Sequence, residues 1–320
     1  MIPVPVVPVA PGRMTPRSAF TVRVPATTAN LGPGFDALGL ALDLHDEHRF
    51  TPMPRGAPPV SVMVSGEGVG SVACDDANLV VTAARAAAAD VGAVLPPFAL
   101  SCDNSIPHGL GLGSSAAAIV AGVVGGRTLA GVPRDPGAEL TLAARLEGHP
   151  DNVAPAVLGG FTVAWCEPGL ASAATARAAR LDAVGIAVIA FLPSAPMSTV
   201  AARGLLPALV PHADAAHSAG RAALVVAALT GRPDLLLPAT EDRLHTRARG
   251  IAMPASLDLL DRLRASGVAA VLSGAGPTVL ALVDAAAPLP VLSPGAATLP
   301  AGWRRVDLLP DPSGVTVAPD

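Results

Sequence analysis

Short runs in which hydrophobic and polar residues alternate are separated by glycine, proline and longer alanine-rich stretches, a pattern that predicts strands and helices mixed along one chain. Phe20-Thr-Val-Arg-Val24 is a β-rich run closed by Pro25, and Val60-Ser-Val-Met-Val64 is a second. Asn78 to Ala89 then reads as an alanine-rich helix begun near Asp75 and Asp76, and Pro97 to Cys102 as a strand. A helix follows from Ser114, and Asp135 to about Leu146 is another, with a proline in its first turn. Gly159 to Trp165 and Val184 to Phe191 read as strands, with an Ala/Ser/Thr-rich crossing at 169–180 between them. Residues 214–230 form a helix, Val268 to Val283 two strands around a glycine turn, and Arg304 to Leu309 a last strand.

The pattern divides into a Pro-rich tail at 1–18, expected to be disordered, a first half at 19–180 and a second at 181–320. No apolar run approaches a membrane span, the longest being Ala116 to Val124. Proline interrupts the tail, and its positive charges follow rather than precede the apolar residues, unlike a secretory signal. Three cysteines without C-x-x-C spacing suggest neither a disulfide framework nor a zinc site, which fits a reducing cytoplasm. A net charge of −4 gives no basic field for nucleic acid or anionic lipid, so the expected partners are small molecules.

All 21 basic side chains are arginine, and the absence of lysine removes several chemistries at once. A Walker P-loop, a protein-kinase site and Schiff-base catalysis each need an amine. Yet Ile106-Pro-His-Gly-Leu-Gly-Leu-Gly-Ser-Ser115 has the form of a phosphate cradle. Gly109, Gly111 and Gly113 permit positive φ and close approach, and Ser114 and Ser115 stand at an N-cap position. A helix start offers unpaired N–H groups and the positive end of the macrodipole, so it can hold phosphate without lysine. The bland alternative is a glycine linker before an alanine helix.

Pro107-x-x-x-Gly111-Leu-Gly-Ser-Ser-Ala-Ala117 resembles the central motif of the GHMP kinases, small-molecule kinases of galactose, homoserine, mevalonate and phosphomevalonate. Pro25-Ala-Thr-Thr-Ala-Asn-Leu-Gly-Pro-Gly-Phe-Asp36 resembles the opening signature of their homoserine-phosphorylating branch, and Glu147-Gly-His-Pro-Asp-Asn-Val153 the matching polar loop. Ser198-Thr-Val-Ala-Ala-Arg203 and Ser273-Gly-Ala-Gly-Pro277 match two further strings in the right order. The resemblance implies an α+β, two-domain GHMP kinase fold, its N-terminal half like ribosomal protein S5 domain 2 and its C-terminal half ferredoxin-like. It also implies a cytoplasmic enzyme, often a homodimer, that phosphorylates the side-chain hydroxyl of L-homoserine with ATP and Mg²⁺ in threonine biosynthesis. Two alternatives stay open: a GHMP kinase for another amino-acid or polyol alcohol, and a non-catalytic ligand-binding member of the fold.

By the same resemblance the nucleotide is met by Asn78, Pro107, Gly109, Gly111, Leu112, Gly113, Ser114, Ser115 and Ala116. Asn78 is equally explained as a helix cap. Pro150 and Pro155 stiffen the segment carrying Glu147, His149, Asp151 and Asn152. Hard Mg²⁺ prefers oxygen ligands, so Ser114 or Ser115 with Glu147 is the expected metal site, Ser115 taken with Glu147. Asp151 and Asn152 are the expected catalytic pair, Asp151 acting as general base or only orienting the hydroxyl. Asn30, Asp36, His149, Thr199, Arg203 and Arg249 are expected around the amino acid, Arg203 and Arg249 on its carboxylate and Asp36 on its ammonium. The chain departs from the family at Leu110, at Ser218, and at Thr246-Arg-Ala248, where Arg247 offers a competing cation.

Overall fold

A computed structural model describes residues 18–168, 174–197, 199–286 and 298–320, with side chains in the helix at 199–204 from Ala202 onward. The tail at 1–17 and the centre of the crossing at 169–173 therefore lie outside the described residues. The α+β expectation holds: helices cover two separate sheets.

The first sheet is organised by β1 (Phe20–Ala29) and β2 (Leu38–Pro52), which pair antiparallel with a register shift at Pro25/Ala26. Pro25 therefore does not end the first strand; the bulge absorbs it, and β1 runs on into the site. β2 has no counterpart in the sequence reading. Its apolar alternation at Leu38, Leu40 and Leu42 gives way to Asp46 and His48, polar residues that nevertheless face the buried side. Beyond β2 come β3 (Val60–Gly66) and β4 (Phe98–Asn104), parallel to each other. β5 (Phe161–Glu167) pairs with the start of β2, and β6 (Thr175–Leu181) with β5, so the later part of the supposed crossing is a strand.

Three helices lie over this sheet: α1 (Leu79–Asp90), α2 (Ser114–Leu129) and α3 (Pro136–Glu147). α2 approaches α1 closely because Gly122 and Gly126 carry no side chain; a Cβ on either would stand 2.3 Å from a carbonyl oxygen of α1. α4 (Val153–Leu158) is a short helix after the polar loop.

The second half holds β7 (Ile186–Leu192), α5 (Thr199–Gly204), α6 (His212–Leu229), α7 (Leu236–Ala239), α8 (Thr246–Gly250) and α9 (Pro254–Ala265). With β8 (Ala269–Leu272), β9 (Val279–Asp284) and β10 (Arg304–Leu308), β7 builds an antiparallel sheet in the order β10-β7-β9-β8. Ile189 and Phe191 face α9, whereas Val188 and Leu192 join the core of the first half. Both faces of the sheet are covered, and one apolar cluster runs across the boundary near residue 180. The end of the chain does not remain with the second half: β11 (Thr316–Pro319) pairs antiparallel with β1.

Candidate active site

The glycine loop lies where β4, α2 and the β8–β9 turn converge. Gly109, Gly111 and Gly113 all have positive φ, at 67°, 82° and 73°. Gly113, not either serine, is the N-cap of α2; Ser114 and Ser115 are its first helical residues, and no side chain caps that end. The expected serine cap is thereby corrected: the left-handed cap conformation suits glycine and leaves neither hydroxyl engaged in capping. A Cβ at Gly113 would lie 2.0 Å from Thr27 Oγ1, and one at Gly111 would lie 2.3 Å from the Ser273 carbonyl. The loop is held from three sides. Asp46 Oδ1 accepts from the backbone N–H groups of Ser105 and Ile106 at 2.7 and 2.8 Å, Thr27 N–H donates to the Leu112 carbonyl at 3.1 Å, and Ser273 Oγ donates to the Gly111 carbonyl at 2.6 Å.

Opposite the helix start stands the polar segment after α3. Ser115 Oγ donates to Glu147 Oε1 at 2.7 Å. Burial raises the Glu147 carboxyl above its ordinary range, with the Ser115 hydrogen bond and His149 opposing it. His149 Nδ1 lies 2.6 Å from Asp151 Oδ1, and that contact, outweighing burial, raises the imidazole. Asn152 Oδ1 accepts from Thr27 Oγ1 at 3.0 Å, tying the segment to β1.

A third wall carries the charges expected for an amino acid. Arg203 grips Asp36 with both Nη atoms, at 2.7 and 3.1 Å, and the contact keeps its guanidinium firmly protonated. Asp36 N–H donates to Asn30 Oδ1, and Asn30 Nδ2 donates to the Gly274 carbonyl. Arg249 is buried at 2 % exposure, with Nη1 donating to the Gly274 carbonyl at 3.0 Å and its Nε without a partner among the described residues. Burial, then the charge of Arg203, lowers its pKa. Arg247, the competing cation, turns away to grip Asp261 with both Nη atoms. Ser218 is buried and accepts from Arg243 N–H.

These walls enclose a cavity of ≈ 230 Å³ lined by Asn30, Asp36, Gly109, Gly111, Gly113, Ser114, Ser115, Glu147, His149, Asp151, Asn152, Arg203 and Arg249. Pro107, Leu112 and Ala116 are buried and do not line it. Thr199 opens α5, and its side chain lies outside the described residues. Asn78 lines a neighbouring cavity of ≈ 250 Å³ that shares Ser114 and Ser115 with the first. Its amide is already engaged as a cap: Oδ1 accepts from Val80 N–H and Nδ2 donates to the Ala73 carbonyl.

Sequence reasoning missed Phe35, whose ring lies 5.7 Å from the Arg203 guanidinium and 5.3 Å from that of Arg249. It also missed Asp46 and His48 on the wall of the second cavity. The only available signal was the phenylalanine inside the Gly34-Phe-Asp36 string. Among the described residues no group of three or more His, Cys, Asp or Glu could hold a metal ion, and no helix is long and apolar enough to cross a membrane.

Residues 78–160 match the N-terminal domain of the GHMP kinases, and residues 224–293 match their C-terminal domain. A homoserine kinase of Streptomyces coelicolor is 52% identical over 272 residues, 84% of this chain and 85% of that protein. One from Streptomyces avermitilis is 49% identical over 306 residues, 94% of this chain and 96% of that protein. The structure of a putative homoserine kinase from Listeria monocytogenes superposes with a TM-score of 0.73 at 33% identity, covering 93% of this chain and 99% of its own.

Proposed function

The chain belongs to the homoserine kinases, a branch of the GHMP kinases, and from that premise we propose how its residues carry the ATP γ-phosphate to the side-chain hydroxyl of L-homoserine, a step of threonine biosynthesis. One observation carries the reading: a phosphate cradle without lysine faces, across one cavity, two guanidiniums and a carboxylate suited to the ends of an amino acid.

The nucleotide enters along α2, its base toward the Asn78 cavity and its phosphates on the N–H groups of the glycine loop and helix start. Ser115 and Glu147 offer adjacent hydroxyl and carboxylate oxygens, which fit a hard cation that completes its shell with phosphate and water. When bound there, Mg²⁺ neutralises charge on the β- and γ-phosphate oxygens. Arg203 and Arg249 hold the substrate carboxylate and Asp36 its ammonium, with Asn30 and Thr199 beside them. This places the side-chain hydroxyl toward Asp151 and Asn152. Asp151 orients the hydroxyl and receives its proton as the new oxygen–phosphorus bond forms and the bond from the γ-phosphorus to the β–γ bridging oxygen breaks, releasing ADP; a loose transition state does not demand earlier deprotonation. His149, whose contact with Asp151 raises its imidazole, holds that carboxylate in place beside the substrate hydroxyl.

The division near residue 180 belongs to this reading, with β11 assigned to the first sheet. So do a homodimer, to be tested by sedimentation, and a cytoplasmic location, supported by three free thiols. The balance of 21 basic against 25 acidic residues supports the expectation that neither nucleic acid nor membrane is a partner.

The test is ADP release with Mg-ATP against L-homoserine, L-threonine, L-serine, mevalonate and galactose. Strong preference for L-homoserine is expected; activity on none of them with ATP binding intact overturns the mechanism. Ser115→Ala and Glu147→Gln are each expected to lower kcat about 100-fold with little change in the homoserine KM, whereas Arg249→Ala mainly raises that KM.

A further inference from the structure

The two groups assigned to opposite ends of the amino acid are bound to each other. Arg203 places one Nη on each carboxylate oxygen of Asp36. Asp36 is pinned through its backbone N–H to Asn30, which is itself fastened to the Gly274 carbonyl, and Phe35 lies against the guanidinium of Arg203. Arg249, also beside Phe35, hydrogen-bonds only neutral groups among the described residues, the Gly274 carbonyl and His245 Nδ1.

We propose that the Asp36–Arg203 pair stands in for the substrate's own charges and makes this wall a filter for zwitterions. The inference rests on the reading of this wall as the amino-acid site. A zwitterion exchanges the pair evenly: its carboxylate takes Arg203 and Arg249, its ammonium takes Asp36, and every charge keeps an opposite partner. The pair is about one-third to one-half exposed, and such open ion pairs are weak enough to be exchanged. Once a ligand fills the cavity, a charge left alone there is far more costly. A hydroxy acid without the ammonium must either strand Asp36 or leave Arg203 occupied and bind through Arg249 alone. An amino alcohol without the carboxylate strands Arg203 in the same way. Rejection thus comes from the Asp36–Arg203 pairing as well as from missing contacts.

The experiment compares kcat/KM for L-homoserine, 4-hydroxybutyrate and 3-amino-1-propanol in the wild type, Asp36→Asn and Arg203→Gln, all at saturating Mg-ATP. Asp36→Asn is expected to lose about 100-fold or more on L-homoserine and to gain about tenfold in absolute terms on 4-hydroxybutyrate, because Arg203 is released. Arg203→Gln is expected to show the mirror image, a gain on 3-amino-1-propanol. If L-homoserine falls while both truncated substrates stay at their wild-type values, Asp36 and Arg203 are plain contacts and the filter is overturned, although the site assignment survives. If L-homoserine kinetics are unchanged in both variants, the site assignment fails and the filter falls with it. The two variants remove opposite members of the pair, so a folding defect in one leaves the other decisive.

Discussion

Asp46 and His48 stand two residues apart on the buried face of β2 and respond to acid in opposite senses. Burial pushes the Asp46 carboxyl up to about 6 against two backbone hydrogen bonds that favour its ionised form. Burial alone takes His48 down to about 4, and among the described residues neither of its ring nitrogens has a partner. Between roughly pH 4 and 6 the folded chain therefore holds a proton on Asp46 that the unfolded chain has lost, so that group's contribution falls as pH rises. Over nearly the same window the unfolded chain protonates at His48 and the folded chain does not, so that contribution rises with pH. Each is worth on the order of 3 kcal/mol across its window, and the two offset one another. Asp46→Asn, which keeps an acceptor for Ser105 and Ile106, is expected to stabilise relative to the wild type increasingly from pH 4 to 6.5. His48→Phe should stabilise increasingly as pH falls over that range; thermal melts at several pH values check both. Neither role could be read from the sequence, because burial of a polar residue on an alternating strand is set by what packs over it. Asp36, Arg203 and Arg249 were legible because each sits in a distinctive string. Phe35 was not, since both guanidiniums it touches come from the second half of the chain.

At the scale of elements, the loop and the helix after it were the most legible part of the chain, since glycine spacing and a following alanine run have a local cause. What was not local was misread. The cap of α2 fell to Gly113 because Thr27, on β1, occupies the space a side chain would need. β2 went unread because its buried face changes from leucine to Asp46 and His48 midway, and α9 because its sequence carried no reading at all. Gly111 shows how closely the two halves meet at the site: its carbonyl accepts from Ser273, and its missing Cβ leaves room for the Ser273 and Gly276 carbonyls. Gly111→Ala is expected to cost about 1 kcal/mol or more from the positive φ alone, with a further loss from the displaced turn. Nucleotide affinity should fall with it, as measured by ATP titration alongside thermal unfolding.

For the whole molecule, the segment after β10 binds the second half of the chain back to the first. Asp311 is the centre of that attachment, accepting from His45 Nε2 at 2.7 Å and from the backbone N–H groups of Ser313 and Gly314. Burial raises the Asp311 carboxyl, but His45 and the two N–H groups together outweigh it and hold its pKa below the ordinary value. Its stabilisation is thus present above about pH 4 and lost as pH falls through the lowered value. Asp311→Ala is expected to destabilise at pH 7 by roughly 2 kcal/mol, the gap to the wild type narrowing in acid, as melts at pH 7 and 3 would register. Beyond Asp311, β11 sets Pro319 opposite Phe20, and Asp320 N–H donates to the Ala19 carbonyl. Both ends of the described fold therefore meet at one point on the first sheet. A peptide linker joining Asp320 to Ser18 would span almost no distance, and the exposed turn at Arg55 and Gly56, between β2 and β3, offers a place to open the ring. The order of elements along the chain is in this sense a choice of where a nearly circular path was cut, and a circularly permuted enzyme starting at Gly56 should assemble the same cavity.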